Sequence, residues 1–246
     1  MTFIYGINSV REALVAQRRK IDRILIAQRK DQGISRQKQQ IIENARELKI
    51  KVDFIAPGQI SALVKTHDHQ GVAAYLEEKS FVPLKKLIEQ VVLLQKEGIL
   101  LILDGIEDPR NLGAIIRSSV GFGVTGIIIG KDRAVHPTPV VAKAASGGME
   151  YIDICEVTNI SQTIQTLKRA GLWIWGLDSK GEKRIDEMAF EGPLGIVVGA
   201  EGAGIRPLVK KSCDGLLRIP MRKGISSFNV SIACSLVLYE FQRKYW

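Results

Sequence analysis

The stretch LGIVVGAEGAGIRPL, residues 194–208, decides how this chain is read. Leu194 to Gly199 form the continuous apolar run of a strand buried on both faces. A turn with glycines at 199, 202 and 204 follows, and then a basic helical segment, RPLVKKSC. A strand feeding a glycine-rich turn and a helix invites comparison with a dinucleotide fold. That fingerprint is G-x-G-x-x-G near the start of a βαβ unit, with an acidic residue about 20 positions on. Here the spacing is reversed, Gly199-x-x-Gly202-x-Gly204, it stands late in the chain, and no Asp or Glu occurs from Gly215 to Ser235. Glu201 inside the turn repels a pyrophosphate, whereas beside a cationic or hydroxyl-rich ligand its charge is useful. The turn is therefore expected to hold something other than a diphosphate.

Outward from this stretch, ILLILD, TGIIIG, YIDICEV and LWIWGLD are further apolar runs, separated by the helical segments NLGAIIRSSVGF, VVAKAASGG and SQTIQTLKRAG. Such alternation predicts an α/β fold with a parallel sheet covered by helices on both faces. The chain closes with a strand, GLLRIPM, a loop, RKGISS, and the helix FNVSIACSLVLYEFQRKYW. Upstream lies a smaller α/β unit: strand FIYG, helix SVREALVAQR, strand DRILIA, helix SRQKQQIIENARELKI, strand VDFIA, a short helix and strand GVAAYLEE. In the second of these helices Ile41, Ile42, Ala45 and Leu48 recur at helical spacing, with Ser35 as N-cap. EEKSFVP, charged and carrying a proline, reads as a linker. The division expected is residues 1–78 as a first domain, 79–97 as linker and leading helix, and 98–246 as a second domain.

The 246 residues include 35 Lys and Arg against 26 Asp and Glu, a net charge of +9. Residues 1–80 hold 14 basic and 9 acidic groups, so more than half of the net charge sits in a third of the chain. A folded protein with a basic surface reads either as an ordinary solvated surface or, more sharply, as one with a polyanion partner, nucleic acid first. Cys155, Cys213 and Cys234 lie far apart with no C-x-x-C, which reads as reduced core thiols and suits the cytoplasm. No apolar run approaches the roughly 18 residues of a membrane helix, and neither a membrane nor a metal partner is expected.

Three strand-end loops concentrate the unusual residues. In DGIEDPRNLGAIIRS, Asp104 ends a strand, Pro109 fixes a turn, and Asn111 is placed to cap the helix that carries Arg117. The second loop carries Glu201. In the third, Ser226, Ser227 and Asn229 interrupt an apolar strand and helix, where plain N-capping by serine competes with a functional role. His67 and His69 flank an acid, a pattern that favours a turn or an RNA contact over a metal site because no third ligand stands nearby. His136 lies in a loop with two prolines, read either as a substrate cover or as a rigid surface loop. From Arg206 to Gly224, six basic residues stand against one acid, Asp214, which reads either as a solvated face or as an RNA-backbone contact.

Taken together, Asn111…Arg117, then GAEGAG, then IPM…SSFNVSIA…LYE resemble the three motifs of the SpoU/TrmH family of SPOUT RNA 2′-O-ribose methyltransferases. IYGINSVREAL and HDHQGVAAY resemble the RNA-binding domain found in the branch that methylates a guanosine of 23S ribosomal RNA. The resemblance implies an L30e/L7Ae-like N-terminal domain, a C-terminal SPOUT domain with a trefoil knot, a homodimer, and S-adenosyl-L-methionine as cofactor. It implies cofactor contacts, largely through backbone groups, at Leu177, Gly199, Ile219, Met221 and Phe228, where the last replaces a usual leucine. It assigns Arg117 to the reacting ribose, with Asn111, Glu201, Ser227 and Asn229 ordering the pocket. A tRNA ribose methyltransferase and a non-catalytic ribosomal RNA assembly factor remain as alternatives.

Overall fold

The computed structural model describes residues 1–28, 33–188, 191–222 and 227–245. They divide into two compact units, Met1–Lys79 with Pro137–Tyr151, and Ser80–His136 with Ile152–Trp246. Among the described residues no helix is long and apolar enough to cross a membrane.

The first unit runs β1 (Thr2–Tyr5), α1 (Ile7–Ala16), β2 (Ile21–Ala27), α2 (Arg36–Glu47), β3 (Lys51–Ile55), α3 (Pro57–Val64) and β4 (Val72–Leu76). Its sheet has the order β1-β4-β2-β3, with β2 and β3 parallel and the other pairs antiparallel. Ile41, Ile42 and Ala45 are buried as their spacing predicts, but Leu48 closes α2 as C-cap and is exposed. Ser35 occupies the N-cap position without a side-chain capping bond.

The second unit contributes α4 (Leu84–Leu93), β5 (Ile99–Asp104), α5 (Pro109–Gly121) and β6 (Gly126–Gly130). α6 (Pro139–Ala144) comes next in sequence but packs in the first unit. The second unit resumes with β7 (Asp153–Val157), α7 (Ile160–Arg169), β8 (Trp173–Leu177), β9 (Lys183–Arg184), β10 (Leu194–Gly199), α8 (Pro207–Ser212), β11 (Gly215–Arg218) and α9 (Val230–Gln242). The sheet order is β7-β6-β5-β10-β8-β11-β9, and every pairing is parallel. β5, β6 and β10 are buried along their whole length, which is why they read as unbroken apolar runs. Leu100, Ile102 and Val197 pack with Leu87 and Val91 of α4, Ile164 and Leu167 of α7 and Val209 of α8. The alternate residues point to the opposite face, where α9 meets β10 and packs on α5. Burial pushes the Cys155 thiol up to about 11 and that of Cys234 up to about 12, so both are inert core thiols. His136 sits 2.8 Å from Glu156 with its ring edge-on to Phe81, which favours the rigid-loop reading.

What holds Pro137–Tyr151 to the first unit is specific. Ser9 Oγ donates to the Ala142 carbonyl at 3.1 Å, and Tyr151 Oη donates to Glu12 at 2.7 Å. Arg19 forms a bidentate ion pair with Glu150, both side chains less than a tenth exposed, and also donates to the Glu77 carbonyl. Removing one partner of such a pair leaves a buried charge unmatched. Arg19→Met should therefore lower the unfolding free energy by about 3–5 kcal/mol, and adding Glu150→Gln should restore part of the loss. Urea titration of the three chains reads the effect; a change below about 1 kcal/mol, the range of exposed pairs, would show that the pair does not anchor this segment.

Candidate functional site

The glycine turn after β10 is a tight hairpin. Ala200 and Gly204 exchange backbone hydrogen bonds at 3.2 and 2.8 Å, with Gly202 and Gly204 at φ +77° and +70°. A β-carbon on Gly199 would lie 2.1 Å from the Gly204 carbonyl carbon, so this position admits no side chain. The three glycines are thus explained by close approach at 199 and left-handed backbone at 202 and 204. The hairpin is not the opening turn of a helix, which separates it from a dinucleotide fingerprint.

Two carboxylates, one buried and one half-buried, hold the surroundings in place. Asp104, 1% exposed at the end of β5, accepts the Arg206 backbone N–H at 2.8 Å and its Nε at 2.7 Å. This pins the far end of the hairpin to the strand in register with its near end, since Asp104 pairs with Gly199. Asp178, just after β8, accepts Lys210 Nζ and the Lys180 N–H, each at 2.8 Å. Burial pushes its carboxyl up, but these hydrogen bonds and the neighbouring ammonium groups outweigh burial and hold it below the usual carboxylate value.

Around the hairpin is a cavity of about 420 Å³, within the ~300–1,000 Å³ of small-molecule sites. Leu177, Gly199, Ile219, Met221 and Phe228 all line it, as do Glu201 and Ser227. Glu201, Asn111 and Asn229 form a hydrogen-bonded chain in that order. Asn111 Nδ2 donates to Glu201 Oε2 at 3.1 Å, and Asn229 Nδ2 donates to Asn111 Oδ1 at 3.0 Å. Its polarity is set by the backbone. Asn229 is the N-cap of α9, and its Oδ1 accepts the Ser231 N–H at 2.9 Å and the Ser231 hydroxyl at 2.6 Å. The Asn229 amide nitrogen must then face Asn111, and the Asn111 amide nitrogen must face Glu201, which as a carboxylate only accepts.

Several sequence expectations are corrected. Asn111 does not cap α5; Asp108 does, accepting the Arg110 N–H at 2.8 Å, and Asn111 is buried within the first turn. The cap of α9 is Asn229 and not a serine, and Ser226 lies outside the described residues. Arg117, expected at the substrate and not at the cofactor, is not among these corrections; it stands exposed on α5, outside the cavity lining. Of the basic run after Arg206, Arg206 and Lys210 are committed to Asp104 and Asp178, and Arg218 to the Gly181 and Glu182 carbonyls. The run is therefore less available to RNA than its density suggests. Asp178 and Lys180 line the cavity without having been singled out, and Lys210, read only as part of the basic run, lines it too. The available signal was an aspartate closing a buried strand, the same pattern as Asp104. Among the described residues no group of three or more His, Cys, Asp or Glu is placed to hold a metal ion.

A sequence profile of the SpoU rRNA Methylase family matches residues 98–239. The chain belongs to this family. A second profile, described as RNA 2′-O ribose methyltransferase substrate binding, matches residues 3–82. The chain is 40% identical to the 23S rRNA (guanosine-2′-O-)-methyltransferase RlmB of Coxiella burnetii, over 98% of this chain and 95% of that protein. It is 36% identical, again over 98% and 95%, to a Bacillus subtilis protein assigned to the TrmH family of tRNA/rRNA methyltransferases. The fold is shared with the SpoU methyltransferase AviRb of Streptomyces viridochromogenes, solved with AdoMet, at TM-score 0.81 and 20% identity over 99% of this chain and 89% of that one. It is also shared with an AdoMet-bound rRNA methyltransferase of Sinorhizobium meliloti, at TM-score 0.81 and 23% identity over 100% and 88%.

The amide chain offers a test of the site in this family member. Asn229→Asp keeps an acceptor for Ser231 but removes the donor to Asn111, so the α9 cap survives while the Glu201 end is released. Melting temperature should stay near that of the parent while S-adenosylmethionine affinity falls about tenfold, the worth of one such hydrogen bond. Asn229→Ala should lose both, and calorimetry showing unchanged affinity in Asn229→Asp would show that the chain does not order the cavity.

Proposed function

We propose that this chain is an S-adenosylmethionine-dependent RNA ribose 2′-O-methyltransferase whose substrate is a guanosine of 23S ribosomal RNA. The observation that carries the reading is the single cavity in which Leu177, Gly199, Ile219, Met221 and Phe228 converge from three distant segments on a tight glycine hairpin. Backbone groups at these positions would hold the cofactor, and the Glu201 carboxylate at the wall suits a cationic ligand. When bound, S-adenosylmethionine supplies an electrophilic methyl group on a sulfonium.

Transfer to a ribose hydroxyl demands in-line positioning and loss of the hydroxyl proton. Arginine stays protonated in proteins, so Arg117 acts here as a fixed cation that holds the adjacent phosphate and stabilises the developing alkoxide. Asn111, Asn229 and Glu201 order one wall, and Ser227, which also lines the cavity, takes part in ordering the pocket. Because Arg117 does not line the cavity of its own chain, a homodimer is part of the proposal. Ile232 and Tyr239 on α9, each about half exposed, offer an apolar face for a second copy. The trefoil knot belongs to the same reading, supported by cavity walls drawn from the ends of β8, β10 and β11 together with α9. The free thiols fit the cytoplasm as the compartment.

The relative assigned to tRNA or rRNA favours, as second reading, a tRNA substrate. Labelled methyl transfer to 23S and tRNA transcripts separates the two: incorporation at a 23S guanosine is expected, and incorporation into tRNA alone would establish the second. No transfer to either, despite cofactor binding, would leave an RNA-binding assembly factor. Arg117→Ala should reduce turnover at least about 100-fold with cofactor affinity near normal; a parallel loss of affinity would reject its assignment to the substrate. Light scattering should give a dimer at assay concentration, and an active monomer would contradict it.

A further inference from the structure

One edge of the four-stranded sheet carries a cluster of groups that methyl transfer does not use. Gly6 follows β1, and Gln70 and Gly71 precede β4. The Gly6 N–H bonds the Val72 carbonyl at 2.9 Å and the Ala27 N–H bonds the Gly71 carbonyl at 2.8 Å, which brings the ends of three strands together. Gly6 and Gly71 have φ of +95° and +72°, and each has a lysine ammonium laid over it. A β-carbon at Gly6 would lie 2.7 Å from Lys143 Nζ, and one at Gly71 would lie 2.5 Å from Lys38 Nζ. Lys143 Nζ donates to Gln70 Oε1 at 2.8 Å, and Lys38 Nζ donates to the Ala27 carbonyl at 3.3 Å. Both ammonium groups thus meet the turn before β4, Lys143 through the Gln70 side chain and Lys38 over the Gly71 backbone.

Both hydrogen bonds go to neutral acceptors. Among the described residues neither forms an ion pair; Asp68 is the acidic neighbour whose charge reaches Lys143. Burial pushes both amines below the usual lysine value, as expected of desolvated cations whose acceptors are neutral. The N-terminus of α1 adds to the positive potential: its cap is Gly6, which offers no side chain, and its first turn holds no acid. Gln70 Oε1 takes the Ile7 N–H at 3.1 Å. His69 contributes no charge. The Gly71 N–H donates to its Nδ1 at 2.9 Å, so Nε2 carries the proton and donates to Ser61 Oγ at 3.0 Å. The imidazole is a neutral brace for the turn, and the lysines supply the charge. The exposed His67 lies 3.3 Å from the same hydroxyl.

We propose that Lys38 and Lys143 form a phosphate-binding notch that holds a backbone phosphate of the RNA substrate other than the one beside the methylated ribose. Two ammonium groups over glycine backbone, one of them at the N-cap of α1, match a compact oxygen anion, and the phosphodiester is the anion that an RNA strand presents. The inference rests on the RNA methyltransferase reading and adds that the notch is composite. Lys38 belongs to the segment matched by the substrate-binding profile, whereas Lys143 comes from the chain between β6 and β7.

Lys38→Met and Lys143→Met in the full chain keep the stems that cover the glycines and remove the charges. Affinity for a 23S-derived transcript, measured across a salt series, should fall several-fold for each. The slope of log affinity against log salt should become shallower by about 0.7 per charge removed. S-adenosylmethionine affinity should not change, and turnover at saturating RNA should stay within about twofold, the loss appearing in KM. Lys85→Met, on the exposed face of α4, should leave the slope as it is. Variants equal to the parent in affinity and slope would overturn the notch, and so would a lowered melting temperature with an unchanged slope, which would make the lysines packing groups. A parent protein that bound RNA but methylated none would overturn the functional reading instead, while the slopes would still decide the notch.

Discussion

Asp104 is a carboxylate with almost no contact with water, and it must find its hydrogen-bond donors inside the protein. It finds them in one residue, Arg206, through both backbone and side chain. Because Asp104 is also the register partner of Gly199, the two ends of the glycine hairpin are tied to the same point of the sheet. The rest of the site follows from that closure. A hairpin fixed at both ends cannot slide along the strand edge, and its inner face becomes one stable wall of a cavity.

The hairpin answers to a second backbone constraint as well. The first turn of α9 needs an acceptor for the Ser231 N–H, and Asn229 supplies it. Meeting that need orients two amides and delivers a donor to Glu201 inside the hairpin. A helix cap and a binding loop are thereby parts of one hydrogen-bonded chain, so the last helix and the hairpin cannot be ordered independently.

The first unit follows a different logic. Its core is ordinary, with Ile24, Ile26, Ile41 and Ile42 buried between sheet and helices. Its boundary is not contiguous in sequence. Pro137–Tyr151 joins it through Ser9, Glu12 and Arg19, and brings Lys143 to the Gly6 turn. A chain cut at the proline-containing linker would leave Glu150 and the apolar residues Val141 and Met149 without their partners, so the linker is a break in composition more than in packing.

The sequence by itself determined the parallel sheet, since strands buried on both faces must be apolar throughout. It also marked the glycine turn, since Gly199 admits no β-carbon and the left-handed backbone at Gly202 and Gly204 favours glycine. The five residues placed on the cofactor by resemblance meet at the cavity around that turn. Tertiary structure decided the partners of the polar groups. Asn111 has the residue type and position of a cap, yet Pro109 starts the helix two residues earlier, so Asp108 caps it and Asn111 turns inward to Glu201. Arg206 and Lys210 look like a solvent-facing basic patch until Asp104 and Asp178, distant in sequence, neutralise them. Local pattern reports a side chain's propensity and burial. Which charge meets which is set by strand order, and β10 stands between β5 and β8 only in the folded sheet.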